Sequence, residues 1–163
     1  MILEEFGKPI LAPPHHWLHF NLSHCNDLAA IAICAYGPVG IDLESMNRAE
    51  GLLECETSFC HPEEIADLPG EASARAFQLL RIWTAKEAVL KALGTGLSHP
   101  PEEVRIRFGL PTSTAVSKTL LLGINDQRLH SLEDPALTEH QAVVSAPKSV
   151  MEIEILKGFL NHP

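Results

Sequence analysis

Trp83-Thr84-Ala85-Lys86-Glu87-Ala88-Val89-Leu90-Lys91 is the stretch that decides the fold of this chain. It belongs to a longer run in which Phe77, Leu79, Leu80, Ile82, Trp83, Val89, Leu90 and Leu93 fall on every side of a helix rather than along one stripe. A surface helix shows a single apolar face, and a helix apolar all round is buried. Lys86, Glu87 and Lys91 therefore require partners, because an unpaired charge in such a setting is costly. Two readings stand side by side. Glu87 and Lys91 have the i,i+4 spacing and order of an ordinary surface pair, worth roughly 0.3 kcal/mol. Alternatively the charges face a ligand, and phosphate with a metal ion is one chemistry that satisfies both signs.

Working outward, the helix is expected to run from about Ala72 to Leu93 and to stop at Gly94-Thr95-Gly96, with Gly in the left-handed position. Upstream, residues 17–22, 28–36 and 39–44 read as strands, with Gly37-Pro38 as a turn. A helix is expected from Ser45 to Cys55, with Ser45 or Asn47 near its start, and a short one opening at Pro62. Downstream, strands are expected over Val104–Phe108, Thr119–Gly123, Arg128–Leu132, His140–Ala146 and Met151–Leu156. The expected class is α+β, an antiparallel sheet packed against a long central helix.

At 163 residues the chain is one domain's worth, with the 45% hydrophobic and 20% charged composition of an ordinary globular protein. The longest apolar run, around Leu28–Tyr36, is too short to span a bilayer, and the N-terminus shows no basic leader region. Cys25, Cys34, Cys55 and Cys60 form no CxxC pair, so a cytoplasmic location is expected, with no membrane partner. A net charge of −9 argues against nucleic acid as a partner. Its distribution is uneven. Residues 75–107 hold six basic side chains against three acidic ones, while the remainder holds six against eighteen. The positive charge thus gathers around the central helix, where a polyanion would need it.

Three further patterns carry chemistry. In Gly40-Ile41-Asp42-Leu43-Glu44, strand alternation sends Ile41 and Leu43 to the core while Asp42 and Glu44 project together. Paired carboxylates of that kind form a hard oxygen site suited to Mg²⁺, although a half-exposed acidic strand has the same pattern. Phe20-Asn21-Leu22-Ser23-His24 closes a strand, where hydroxyl, imidazole and free backbone N–H groups can meet phosphate oxygens. A Ser23–His24 or Cys25–His24 nucleophilic pair is the alternative, without a visible third member, and a plain polar turn is another. Gly7-Lys8-Pro9 is a rigid basic turn. The remaining histidines lack zinc-ligand spacing.

Taken in order, Gly7-Lys8-Pro9, Phe20–His24, Gly40–Glu44, and Trp83–Lys91 followed by Gly94-Thr95-Gly96-Leu97 resemble the 4′-phosphopantetheinyl transferase superfamily, in its longer, surfactin-synthetase-activator-like class. The resemblance implies transfer of phosphopantetheine from coenzyme A to a serine of an acyl, peptidyl or aryl carrier protein, with release of 3′,5′-ADP. It implies that Asp42, Glu44 and Glu87 hold Mg²⁺ and that Glu87 also serves as general base. Lys91 would meet the phosphates, and Lys8, Ser23, His24 and Lys86 would contact coenzyme A. Residues 1–36 would be a remnant of the first half of the family fold, and 37–163 the transferase domain. Self-association into a homo-oligomer is implied by analogy with the short holo-acyl-carrier-protein synthase class. The competing expectation is a non-catalytic module that binds coenzyme A or a carrier protein with an incomplete site.

Overall fold

The computed structural model describes residues 1–106, 117–121, 127–132, 134–150 and 153–156. Two short strands, β1 (Ile2–Leu3) and β2 (Pro9–Ile10), pair with each other. β3 (His19–Cys25) and β4 (Leu28–Cys34) form an antiparallel hairpin with Phe20 opposite Ile33, Leu22 opposite Ile31 and Ser23 opposite Ala30. Asn26-Asp27 closes it, with Asn26 at φ 53°, a region that Asn tolerates better than most residues. β5 (Gly40–Ser45) is followed by α1 (Pro62–Ala66) and α2 (Ala72–Leu93). With β6 (Ser117–Leu121), β7 (Gln127–Leu132) and β8 (His140–Pro147), β5 forms an antiparallel sheet ordered β5-β8-β7-β6. The class is α+β, with a long central helix on an antiparallel sheet.

α2 ends as its sequence predicts. Gly94 sits at φ 78°, and its N–H returns to the carbonyls of Leu90 and Lys91. At the other end the Glu71 carboxylate caps the N–H groups of Ser73 and Ala74. From Leu79 onward burial is nearly all-round, while Ala72–Ala74 and Phe77 are exposed. Ala85, Ala88, Val89 and Leu90 pack with Val104, Ile106, Leu129 and Val143. Nearer the start, Ala76, Leu79, Leu80 and Ile82 pack with Ala49, Leu52, Phe59 and Cys60. Behind β5, Ile41 joins Ala32, Cys34, Val144 and Ala146. The helix lies so close to β5 that a Cβ on Gly40 would stand 2.0 Å from the Ala88 carbonyl oxygen and 2.4 Å from the Ala92 nitrogen. Only glycine permits that approach.

Some expectations are corrected. Ser45–Cys55 forms no α-helix. Three short 3₁₀ turns (Met46–Arg48, Glu50–Glu54, Glu56–Ser58) bend the chain so that Ala49, Leu52, Phe59 and Cys60 reach α2. Val104 and Ile106 are buried but their segment is irregular, because the Ile106 N–H is taken by Glu64 Oε1 at 2.5 Å instead of a neighbouring strand. The first long strand is shifted to His19–Cys25, so Ser23 and His24 stand inside the hairpin rather than at its end. The strand expected over 28–36 stops at Cys34. Residues 153–156 carry no strand. Arg107, Phe108, Leu122, Gly123, Met151 and Glu152, which complete expected strands, lie outside the described residues.

Candidate active site

Residues four apart on a helix stack along one face, and alternate residues on a strand share one side. Both rules act where α2 crosses β5. Trp83, Glu87 and Lys91 form the helix line, and Gly40, Asp42 and Glu44 form the strand line beneath it. Gly40 admits the helix backbone at Ala88 and Ala92. Lys91 Nζ then donates to Asp42 Oδ1 at 2.6 Å, and Trp83 Nε1 donates to Glu44 Oε1 at 2.8 Å. Glu87 lies between them, close enough to feel the charges of Asp42, Lys91 and Glu44. These groups share a cleft of about 360 Å³ with Ser23 and His24, and with Leu22 and Leu97 at its apolar edge. A larger hollow of about 690 Å³, lined by Met46, Arg81, Ser131, Pro135, His140 and Gln141 among others, contains none of these acids.

The hairpin supplies the opposite wall through side chains, because β3 and β5 belong to different sheets. Asn21 Oδ1 accepts the Ile41 N–H at 2.9 Å, and Ser23 Oγ accepts the Leu43 N–H at 3.1 Å. Two alternate residues of β3 thus satisfy the edge of β5 that β8 leaves open. Ser23 Oγ also donates to Asp42 Oδ1 at 3.1 Å and accepts from Lys91 Nζ at 3.2 Å. That commitment removes the Ser23–His24 nucleophile reading: Ser23 is buried while His24, the next residue on the strand, is exposed. Asn21 escapes sequence reasoning. Its signal is the Asn-x-Ser spacing on a strand, two short acceptors on one face.

The electrostatics follow from burial. Asp42 is 4% exposed, and desolvation raises its carboxyl above the usual range while Lys91 pulls it back. Glu87 is raised by burial first and then by the charge of Asp42, with Lys91 opposing. Asp42 Oδ2 and Glu87 Oε1 are both buried without a hydrogen-bond partner. Two partnerless carboxylate oxygens in one cleft fit a hard divalent cation, which takes oxygen ligands of this kind. Glu44 is engaged differently: its Oε1 accepts from both Arg48 Nη1, at 2.5 Å, and Trp83 Nε1. Among the described residues no three His, Cys, Asp or Glu side chains form a ready-made ligand set. Asp42 and Glu87 offer open oxygens, and Glu44 is held by its neighbours.

Two expected contacts lie elsewhere. Lys86 is one residue off the Trp83–Glu87–Lys91 line, about 100° around the helix. It is fully enclosed, donating to Glu64 Oε2 at 2.7 Å, to the Phe59 carbonyl at 2.7 Å and to the Pro101 carbonyl at 3.0 Å. Lys8 donates to the Ala92 carbonyl at 2.7 Å and the Val39 carbonyl at 3.3 Å, holding the N-terminal segment to the end of α2. Burial depresses the Lys8 ammonium, against the charge of Glu4. Neither lysine lines the cleft.

Residues 38–145 match the family model of the 4′-phosphopantetheinyl transferase superfamily. Among curated relatives, the 4′-phosphopantetheinyl transferase HetI of Nostoc sp. is 38% identical over 121 residues, covering 71% of this chain and 49% of that protein. A 4′-phosphopantetheinyl transferase of Bacillus subtilis is 31% identical over 107 residues, covering 65% of this chain and 46% of that protein. The 4′-phosphopantetheinyl transferase psf-1 of Bacillus pumilus is 33% identical over 153 residues, covering 87% and 64%. The chain spans about half the length of the first two. With two of its four recognised motifs, Gly40–Glu44 and Trp83–Lys91, inside the matched region and facing each other across one cleft, the chain belongs to the 4′-phosphopantetheinyl transferase superfamily.

Proposed function

We propose that this chain transfers the 4′-phosphopantetheine group of coenzyme A to a serine hydroxyl of an acyl, peptidyl or aryl carrier protein and releases 3′,5′-ADP. The observation that carries this reading is the facing of Asp42 and Glu44 by Glu87 and Lys91 across a single cleft. In the step, the serine oxygen attacks the pantetheine-side phosphorus and the bond to the bridging oxygen breaks. The serine proton goes to a carboxylate, and the displaced phosphate leaves with the nucleotide. Glu87 suits the proton's destination: it is partly buried, with its carboxyl raised by burial and by the charge of Asp42. Lys91, held by Asp42 and Ser23, presents an ammonium to the phosphate oxygens. His24, exposed on the hairpin and lining the cleft, would meet the nucleotide end. Asp42 and Glu87, with Glu44, would hold Mg²⁺, which supplies charge stabilisation to the diphosphate when bound.

Self-association and a cytoplasmic setting belong to the same reading. Ile31 and Ile33 on the outer face of the hairpin are 61% and 65% exposed, a surface that a second subunit would cover. Among the described residues no helix is long and apolar enough to cross a membrane.

The direct test is intact-mass analysis of several apo carrier proteins after incubation with this chain, coenzyme A and Mg²⁺. A phosphopantetheine adduct on the carrier serine is expected. Coenzyme A binding with no adduct on any carrier would return the alternative, a non-catalytic coenzyme A or carrier-protein binding module.

A further inference from the structure

Glu44 Oε1 is shared by two donors of different kinds. Trp83 Nε1 is neutral and fixed: its ring meets Phe59 edge-to-face at 5.3 Å and 81°. Arg48 is charged and stands at the cleft rim, with its side chain 47% exposed and its guanidinium 5.0 Å from the Trp83 ring centre. Only one of these is needed to orient the carboxylate. A ligating carboxylate keeps a neutral hydrogen-bond donor in its outer sphere, whereas a guanidinium on the same oxygen opposes a cation in charge and in space. The acids of the cleft are Asp42, Glu44 and Glu87, and its cations are Lys91 and Arg48.

We propose that Arg48 and a divalent cation compete for Glu44. Trp83 keeps its hydrogen bond in both arrangements, and Arg48 yields as the cation takes the carboxylate. This rests on the metal reading given above and goes beyond it. Arg48 lowers intrinsic cation affinity, so removing its charge strengthens cation binding. Arg48 is a positioning residue in this scheme, acting through Glu44, and Trp83 reports the exchange because its indole N–H bonds the oxygen in question.

The experiment titrates Mg²⁺ and Mn²⁺ into the full chain by calorimetry, comparing wild type with Arg48→Gln and Arg48→Lys. Trp83 emission is followed in a Trp17→Phe background, Trp17 being the only other tryptophan. Arg48→Gln should bind roughly three- to fivefold tighter, the size of a lost half-exposed ion pair. Arg48→Lys, which keeps the charge, should stay within about twofold of wild type, and Trp83 emission should change with the calorimetric midpoint. Equal or weaker binding by Arg48→Gln, or equal tightening by Arg48→Lys, overturns the competition while leaving the cation site standing. Absence of cation binding in every variant overturns both.

Discussion

Replacing Lys86 by Met separates the structural lysine of α2 from the chemical one. Lys86 is fully buried and satisfies three acceptors: Glu64, the Phe59 carbonyl and the Pro101 carbonyl. Glu64 in turn holds the His61 N–H at 2.7 Å and the Ile106 N–H. One ion pair thus ties α2 to α1, to the turn before α1 and to the segment after Pro101. Burial lowers the Lys86 pKa, and the partner carboxylate opposes that shift. Met fills most of the same volume but leaves a buried carboxylate without its cation and two carbonyls without a donor. The expected loss is about 3–5 kcal/mol. Adding Glu64→Gln removes the stranded charge and should recover about 1–2 kcal/mol of it. Urea unfolding followed by far-UV circular dichroism measures both, and coenzyme A affinity under fully folding conditions should stay within about twofold of wild type. A Lys86→Met loss below about 1 kcal/mol, or a selective collapse of coenzyme A binding in the folded variant, would refute the assignment.

Gly40→Ala should destabilise by about 3 kcal/mol or more, since the new methyl lands on the Ala88 carbonyl, whereas Gly51→Ala, with open space around it, should be nearly neutral. Thermal melts of the pair decide it, and equal melting temperatures would contradict the close approach of α2 to β5. Asn21→Ala leaves the Ile41 N–H without its acceptor and should cost about 1–3 kcal/mol, with faster amide exchange at Ile41; unchanged protection there would count against the side-chain seal of β5. Burial, then the charge of Arg128, holds the buried His130 at about 4 against an ordinary 6.5. The unfolded chain therefore takes up this proton first as pH falls. The contribution is complete above pH 6.5 and is lost towards pH 4, amounting to about 3 kcal/mol. Unfolding free energies at several pH values should show a shallower acid loss for His130→Gln than for wild type, and parallel curves would be the contrary result.

What the residues reveal in advance depends on how local the cause is. The extent of α2 is legible because apolar residues on all sides and Gly94 at its end are local signals. The carboxylate pair of β5 is legible from alternation alone. Lys86 and Lys91 look alike in sequence, yet they part company on the helix surface. The line through Trp83, Glu87 and Lys91 misses Lys86 by one residue, and only the packing of α1 reveals that Glu64 waits there. Asn21 is illegible for a similar reason, since its partner is twenty residues away on a strand of another sheet. The 45–55 segment misleads because its apolar spacing suits a helix, while packing against α2 is met by successive tight turns. Arg48 passes unnoticed as a plain surface charge until Glu44 and Trp83 are seen to meet it.

The central claim is that Glu87, facing Asp42 and Glu44, accepts the proton of the carrier serine. Its most direct measurement is the rate of phosphopantetheine transfer to an apo carrier protein by wild type and by Glu87→Gln, with matched folding confirmed by circular dichroism. Wild type should build up holo carrier protein, and Glu87→Gln should be slower by at least about a hundredfold, the usual worth of a positioned general base. A Glu87→Gln variant that transfers at the wild-type rate would contradict the claim, as would a wild type that transfers to no carrier at all.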